Sequence, residues 1–346
     1  MIRFVLALAA LLLFVPIAQA ASFDCSKAGT SFEKAICDNP ELSKQDEVLA
    51  QAYATALGGL SADASAAVKA GQHSWLDYAA RICSDDGQPI QGEYTADQAT
   101  CLGGEFTTRI RELEASKMQG GYRFYPVEKF LIEKDPDAEA DSYNKVATKH
   151  FLTIKIDRDD ELAQAFGDMM DKLRLANDEQ LGEDSHLFDK SGELAKGDTS
   201  ADIDLSTTVT KVTTSLITVS TDNYWYGHGA AHGNYGSTYG HFLIAEKRPL
   251  EASDVFKGKG WQKPFTKMVI DKTKSDLGDD YQGDDSGQDL ANVITDPSRW
   301  DFVDEGIAVH FNPYEVSSYA RGSVDVTIPW TALQDLITDS AQNLSY

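Results

Sequence analysis

The four cysteines of this 346-residue chain all lie in its first third, at Cys25, Cys37, Cys83 and Cys101. Their spacings lack the closely spaced pairs of a zinc ribbon. An even number of cysteines in an exported chain instead predicts two disulfides, for which three pairings exist. We favour the local pairing, Cys25 with Cys37 and Cys83 with Cys101, because it ties each helix end to its adjoining loop.

The first twenty residues predict export. Arg3 precedes an almost entirely apolar run, Phe4 to Ile17, and residues 18–20, Ala-Gln-Ala, have the small-x-small form of a cleavage site. The run is interrupted by Pro16 and is shorter than the roughly 20 apolar residues of a membrane anchor. Cleavage near Ala20 therefore predicts a periplasmic or secreted protein without a membrane anchor.

The chain is strongly acidic. Its net charge is −24, and removal of Arg3 with the leader makes it −25. This sign argues against nucleic acid, whose binding depends on Lys and Arg, and against anionic lipid headgroups. It favours a cationic partner, because opposite charges accelerate encounter. Solubility alone is the alternative explanation.

Residues 22–117 have the apolar spacing of amphipathic helices. The three stripes are Leu42, Leu49, Ala52, Tyr53 and Ala56; Val68, Trp75, Leu76, Ala79 and Ile82; and Leu102, Phe106, Ile110 and Leu113. Turn residues at 61–63 and 85–87 separate the stripes. The region is therefore predicted to be an all-α, disulfide-bonded helical hairpin or bundle, whose thin core needs covalent support.

The rest of the chain predicts a second domain and hence a multidomain protein. Residues 118–148 are interpreted as a linker with a first strand, and residues 149–346 as an α+β domain with a mainly antiparallel sheet. Strands are predicted at Tyr122–Ile132, Phe151–Ile156, Val209–Ser220, Tyr239–Ala245, Gly306–Phe311 and Val324–Ile328. Helices are predicted at Leu162–Leu173 and Trp261–Val269, and the polar stretch 177–204 is predicted to be an exposed loop.

A stretch rich in glycine, histidine and aromatic residues runs from Tyr224 to Tyr235. His228 and His232 are four residues apart, which is the spacing of two metal ligands on one helix face. Glycines at 227, 229 and 233 argue against a helix, and no glutamate adjoins His228. We therefore predict a glycine-rich turn with backbone-bonded histidines and no metal or other cofactor; a metal site is the alternative.

No other pattern gives a recognisable catalytic set. The phosphate-binding, dinucleotide-binding and GxSxG motifs are absent from the sequence, and oxidised cysteines cannot act as nucleophiles. An acidic run departs from the calcium-loop pattern and is interpreted as a solvated loop; it comprises Asp276, Asp279, Asp280, Asp284, Asp285 and Asp289. The sequence therefore predicts a binding protein rather than an enzyme.

The N-terminal region resembles the LprI-like domain, a family named for a bacterial envelope inhibitor of lysozyme. The residues that carry the resemblance are Cys25, Glu33-Lys34-Ala35-Ile36-Cys37, Leu42, Asp46, Leu49, Tyr53, Gln72, Trp75, Arg81, Cys83 and Cys101. It covers about residues 24–115. Trp75 and Arg81 are six residues apart, two more than is usual for that pattern. The resemblance implies that this region binds lysozyme.

Residues 120–335 are similar to the extracytoplasmic domain of RsiV-type anti-sigma factors, which sense lysozyme by binding it. The similarity is carried by Ala230–Asn234, Arg248-Pro249-Leu250, Asp254-Val255-Phe256, Gly306–Ala320 and Ile328-Pro329. Related domains occur on cell-wall deacetylases. The chain lacks the membrane helix and cytoplasmic segment of a sigma-factor regulator, so the similarity implies binding and not signalling.

Both resemblances imply the same partner, a basic lysozyme-type protein, which suits an acidic chain. The expected function is capture and inhibition of such a cell-wall hydrolase. Candidate partner-binding residues are Tyr224, Trp225, Tyr226, His228, His232, Asn234, Tyr314, Glu315 and Tyr319. Turn-setting hydrogen bonds are the commoner role for Asn234, Tyr314 and Glu315. The alternative ligand is peptidoglycan or another glycan, whose sugar rings would stack on the aromatic side chains.

Overall fold

The computed structural model describes residues 21–139, 142, 144–180, 186–284 and 289–345. The predicted leader, residues 1–20, lies outside these ranges. Within them, no helix is both long enough and apolar enough to cross a membrane.

The first unit of the fold consists of four helices, α1 (Ser31–Asp38), α2 (Pro40–Leu57), α3 (Ala62–Ile82) and α4 (Ala96–Leu113), after a short 3-10 turn at Cys25–Lys27. Polar side chains define where these helices begin: Thr30 and Thr95 form capping boxes, and Asn39 and Ser61 cap α2 and α3. The disulfides join Cys25 to Cys37 and Cys83 to Cys101. The predicted all-α, disulfide-bonded class and the local pairing are both confirmed.

Seven strands form the main sheet in the order of the chain. They are β1 (Met118–Gln119), β2 (Tyr122–Lys134), β3 (Val146–Ile156), β4 (Ala201–Val212), β5 (Leu216–Gly227), β6 (Asn234–Leu243) and β7 (Arg248–Pro249). Among the described strands of this sheet, β3 and β4 pair in parallel, in the register that places His150 beside Asp204, and the other neighbours pair antiparallel. The prediction of a mainly antiparallel sheet is confirmed. Helix α5 (Glu161–Gln180) follows β3.

The C-terminal part adds a second, three-stranded sheet in the order β10–β9–β8. Its strands are β8 (Trp300–Val303), β9 (Gly306–Phe311) and β10 (Val324–Pro329), with helices α6 (Ala252–Val255), α7 (Gln262–Leu277), α8 (Ala291–Thr295) and α9 (Trp330–Leu333). Further 3-10 turns lie at Gly278–Asp280, Pro297–Arg299, Tyr319–Arg321 and Ala341–Ser345. Trp300 is fully buried in the core between these elements, against the rings of Phe256, Trp261 and Phe265.

Two details of the sequence prediction are wrong. Val209–Ser220 is not one strand, because the chain turns at residues 213–215, where the Thr213 hydroxyl accepts from the backbone N–H groups of Ser215 and Leu216. The stretch 177–204 is not a plain exposed loop: α5 runs to residue 180, β4 begins at residue 201, and Leu187, Phe188 and Leu194 are buried against the sheet.

The helical unit and the main sheet share an interface in which α3 lies on β2. Tyr125 and Phe130 of β2 pack against the core of the four helices. Gly71 permits this close approach, since an added Cβ would lie 3.3 Å from a carboxylate oxygen of Glu128. Separability of the units at residues 118–148 remains a prediction, and release of a stable C-terminal fragment on limited proteolysis is the measurement that checks it.

Candidate functional site

One face of the main sheet carries polar and aromatic side chains where β4, β5 and β6 run side by side. Asp204 lies opposite Tyr224, which lies opposite Tyr235, and Asp202 lies opposite Tyr226. Since side chains alternate between the faces of a strand, these residues share one face. The helical unit borders this face at the β3 side, and a loop of residues 312–319 borders it at the β6 side.

Five aromatic side chains at the β6 side make up the aromatic patch, of which the last four are in mutual ring contact: Tyr224, His232, Tyr235, Tyr314 and Tyr319. Their centre is Tyr319, whose ring centroid lies 3.9 Å from that of His232, 5.4 Å from that of Tyr314 and 5.8 Å from that of Tyr235. Tyr224, Tyr235 and Tyr314 are 41%, 39% and 60% exposed. The patch is therefore open to solvent.

Gly233 joins Tyr224 to the rest of the aromatic patch. A Cβ on Gly233 would lie 2.5 Å from the Tyr224 ring, so only glycine lets the chain pass this closely. The carbonyl of the same glycine accepts a hydrogen bond of 2.7 Å from the Tyr319 hydroxyl. The glycine-rich turn thus positions the rings of two distant segments beside each other.

The loop that carries Tyr314 is held by polar contacts. Glu315 accepts from the backbone N–H of Asn312 at 2.7 Å and from the Arg299 guanidinium. Asn312 in turn accepts from the backbone N–H of Ser237 at 2.8 Å. Tyr314 has a φ of 71°, in the left-handed region that is unfavourable for a residue with a Cβ. An exposed aromatic ring held in a strained backbone conformation is typical of functional sites.

Carboxylates surround the aromatic patch. Tyr239, which lies two residues after Ser237 on β6, has its pKa raised to about 12 by burial and then by the charges of Asp301, Asp325 and Asp222. Burial, followed by the charge of Asp202, also raises the pKa of Tyr224. Both hydroxyls therefore lie in partly buried surroundings with a negative potential from nearby carboxylates.

A pocket of about 320 Å³ adjoins the aromatic patch, between the helical unit and the sheet. Its lining includes Tyr78, Glu105 and Glu112 of the helices and His150, Asp202, Asp204 and Tyr224 of the sheet. The pKa of Tyr78 is raised well above its usual range, first by burial and then by these four carboxylates. Tyr224 belongs to both the pocket and the aromatic patch, so the two form one surface.

A buried charge network lies beside the pocket. Arg109 donates from Nη1 to Glu128 at 2.5 Å and to Glu112 at 3.1 Å, and from Nε to Gln72 at 3.0 Å. Burial raises the pKa of Glu112 to about 7, although the charges of His150 and Arg109 oppose the rise.

His150 connects this network to Asp204, with Nδ1 2.6 Å from a carboxylate oxygen. Burial by itself lowers the pKa of His150, but the hydrogen bond and charge of Asp204 outweigh burial and raise it overall. The pair gives the pocket a polar wall on the sheet side.

The predicted site residues fall into four groups. The structure brings together Tyr224, His232, Tyr314 and Tyr319, as described above. Tyr226 lies on the same face, where its hydroxyl donates to the Ala230 carbonyl, and His228 lies 3.4 Å from Asp202 at the edge of the pocket. Trp225 points to the opposite face, against a core that includes Ile203 and Leu205.

Asn234 and Glu315 have positional roles. Asn234 is exposed and begins β6 opposite Trp225. Glu315 fixes the Tyr314 loop through the bonds described above, which is the turn-setting role that such residues commonly have. His228 and His232 do not meet in a three-ligand cluster within the described residues, and Asp285 of the acidic run lies outside them.

Sequence reasoning missed the residues of the pocket and of the charge network beside it. Glu128, His150 and Asp204 come from strands far apart in the sequence, and only the parallel β3–β4 pairing and the contact of α4 with the sheet bring them together. One signal was available: a glutamate and a histidine each interrupt a run of strand-forming residues, and polar residues recur at every second position from Asp202 to Ser206. Each of these patterns is also typical of a solvated strand face.

Two family models match separate parts of the chain. Residues 24–113 match the model of the family described as "Lysozyme inhibitor LprI". Residues 253–331 match the model described as "Protein of unknown function (DUF3298)". The LprI-like resemblance is confirmed, and DUF3298 is compatible with the RsiV-like resemblance without naming it. None of the curated proteins matches the chain.

Two solved structures are similar to this chain over about two thirds of its length. One is a DUF3298 family member from Bacteroides fragilis NCTC 9343, with 17% identity, a TM-score of 0.46, and coverage of 64% of this chain and 96% of that one. The other is a DUF3298 family protein from Pseudomonas aeruginosa PAO1, with 13% identity and a TM-score of 0.47. The match covers 66% of this chain and 98% of that one.

Proposed function

We propose that this protein captures and inhibits a basic lysozyme-type cell-wall hydrolase in the periplasm or outside the cell, and that it acts as a binding protein rather than an enzyme. The LprI match at residues 24–113 supports a lysozyme-inhibitor role for the N-terminal region. Two disulfides fit an oxidising compartment.

The aromatic patch is the observation that carries the choice of binding face. Tight protein interfaces depend on a few aromatic anchors that are desolvated on binding and are surrounded by a polar rim. Tyr224, Tyr235 and Tyr314 supply exposed rings on a rigid support, and Asp222 is an exposed carboxylate beside them. A typical stable interface buries roughly 800 Å² on each partner, so we expect the partner to cover the aromatic patch together with the adjoining pocket rim.

The charge of the chain supports a cationic partner. At −24 overall, the protein attracts a basic enzyme over a distance set by the ionic strength. The Debye length falls from about 30 Å at 0.01 M salt to about 3 Å at 1 M. Attraction of this kind mainly changes the association rate, whereas the aromatic anchors hold the complex together.

A peptidoglycan-lysis assay tests the proposal. The protein is titrated against a basic lysozyme at low and high ionic strength, with complex formation followed on a sizing column. We expect stoichiometric inhibition that weakens as salt rises. Tyr314→Ala and Tyr235→Ala should each weaken inhibition about 30-fold or more, which corresponds to about 2 kcal/mol for an interface anchor.

Leu175→Ala is the matched control. Leu175 is 49% exposed on α5, a helix that packs on Ile217 and Val219, which point to the face of β5 opposite Tyr224. This variant should inhibit like the unmodified protein. Undiminished lysis with a panel of basic lysozymes, and no complex on the column, would contradict the proposal. Salt-insensitive binding to purified peptidoglycan would then favour the glycan-binding alternative.

A further inference from the structure

Three side chains that could ligate a metal ion converge where the helical unit meets the sheet. Glu112 lies on α4, Glu128 on β2 and His150 on β3. Each offers one ligand atom, and these atoms lie within 4.8 Å of one another. Glu112 Oε1 is 3.8 Å from His150 Nε2.

Two candidate ligand atoms of this cluster are buried and make no hydrogen bond to the described residues. Arg109 bonds the Oε2 atoms of both glutamates, while Glu128 Oε1 and His150 Nε2 have no hydrogen-bond partner among the described residues. The Glu128 side chain is only 1% exposed. A carboxylate oxygen buried without a partner costs free energy that a cation would recover.

The opposite side of the histidine ring is arranged as in known metal sites. His150 Nδ1 lies 2.6 Å from Asp204, which would orient the ring and leave Nε2 available as the ligand. A ligating histidine almost always donates its second ring N–H to a carboxylate, a backbone carbonyl or water, and Asp204 is such a carboxylate. Because metal binding displaces protons from its ligands, the occupied site would hold three carboxylates (Glu112, Glu128 and Asp204), a neutral His150 and the Arg109 cation. These groups sum to a charge of −2, which a divalent ion would balance.

We propose that Glu112, Glu128 and His150 form a binding site for a divalent transition-metal ion that links the helical unit to the sheet. One imidazole nitrogen and two carboxylate oxygens are ligands that Zn²⁺ accepts. In a tetrahedral zinc site with bonds of about 2.0–2.1 Å the ligands lie about 3.3 Å apart, so the three ligand atoms, now within 4.8 Å of one another, approach each other by up to about 1.5 Å on binding. Glu112 and His150 line the 320 Å³ pocket, which gives the ion access and leaves room for water as a further ligand.

Isothermal titration of the metal-free full-length mature protein with Zn²⁺ tests the site. We expect one ion per chain and a rise of several degrees in melting temperature at a large excess over Kd, since the ion binds only the folded state. Glu112→Gln and His150→Ala should each weaken binding by 10-fold or more. Substitution of Co²⁺ for Zn²⁺ should give visible absorption bands that the His150→Ala variant lacks.

His73→Ala and His228→Ala are the controls. His73 is exposed on α3, and His228 belongs to the glycine-rich turn that the sequence suggested as an alternative metal site. Both variants should bind Zn²⁺ like the unmodified protein. Circular dichroism in EDTA establishes that each variant is folded, and Glu112→Gln keeps the shape of the side chain.

Two outcomes would overturn the metal site: no binding of Zn²⁺ or Co²⁺ by the unmodified protein, or binding that is lost with His228→Ala and kept with His150→Ala. Inhibition of lysozyme is measured separately on protein treated with EDTA. A failure of the metal site therefore leaves the proposed function untouched, and the reverse also holds.

Discussion

The backbone at Tyr314 allows its role in binding to be separated from its role in the fold. Tyr314→Ala and Tyr314→Gly remove the same aromatic ring from the patch. They differ in the backbone, because a residue with a Cβ at φ 71° carries a left-handed strain of about 1–2 kcal/mol that glycine does not. Glycine loses about 0.5–1 kcal/mol more conformational entropy on folding than alanine does.

The relief of backbone strain exceeds the extra entropy cost of glycine, so Tyr314→Gly should be more stable than Tyr314→Ala by about 0.5–1 kcal/mol. For a chain of this size this difference corresponds to a rise of roughly 0.7–1.5 °C in melting temperature. Both variants lose the contacts with Tyr319 and His232 equally, so these contacts cancel in the comparison. Inhibition of lysozyme should fall about 30-fold in both variants, since the lost anchor is the same.

Thermal unfolding followed by circular dichroism, combined with the lysis assay, measures the two effects. A Tyr314→Gly variant less stable than Tyr314→Ala would refute the strain at this position. Full inhibition by both variants would refute the aromatic patch as the binding face, whatever their stability. If both measurements follow the expectation, the fold maintains a locally unfavourable conformation that serves binding.

Three further predictions concern stability. Arg109→Met should lower the free energy of unfolding by about 3–5 kcal/mol, because it removes the ion-pair partner of the buried Glu128. The double variant Arg109→Met/Glu128→Met should recover part of this loss. Chemical denaturation measures both free energies. Burial lowers the pKa of His241 to about 4, from a value near 6.5 in the unfolded chain. Because the unfolded chain therefore takes up a proton first, about 3 kcal/mol of folding stability that is present above pH 6.5 is lost as the pH falls toward 4. Melting curves against pH should show this loss, and His241→Gln should flatten it. Cys83→Ala/Cys101→Ala should cost about 3 kcal/mol by releasing an 18-residue loop, and equal melting temperatures would contradict this.

Local patterns predicted much of the fold. The helical stripes, the disulfide pairing and the strand Gly306–Phe311 depend on residues close together in the sequence, and the structure contains them as predicted. The turn inside Val209–Ser220 was missed because Thr213 and its neighbours are good strand formers, and it is their side-chain hydrogen bonds that reverse the chain.

The candidate site was only partly predictable for a different reason. The dense segment around Tyr224–Tyr235 stands out by composition, but which of its rings face outward depends on strand alternation. Trp225 therefore lies against the core while Tyr224 is exposed. The Arg109–Glu128 pair joins residues on α4 and β2, and no periodicity within either element indicates that they meet.

The arrangement of the surface explains how two regions with separate family matches could act as one inhibitor. Tyr224 adjoins the rest of the aromatic patch through Gly233 and also lines the pocket together with Tyr78 and Glu105 of the helical unit. A partner seated on the patch would therefore lie beside the carboxylates of the pocket as well. The helical unit would contribute charge that speeds association, and the C-terminal loops would contribute rings that slow dissociation. Because the Arg109–Glu128 pair fixes one unit against the other, that composite surface exists before the partner arrives.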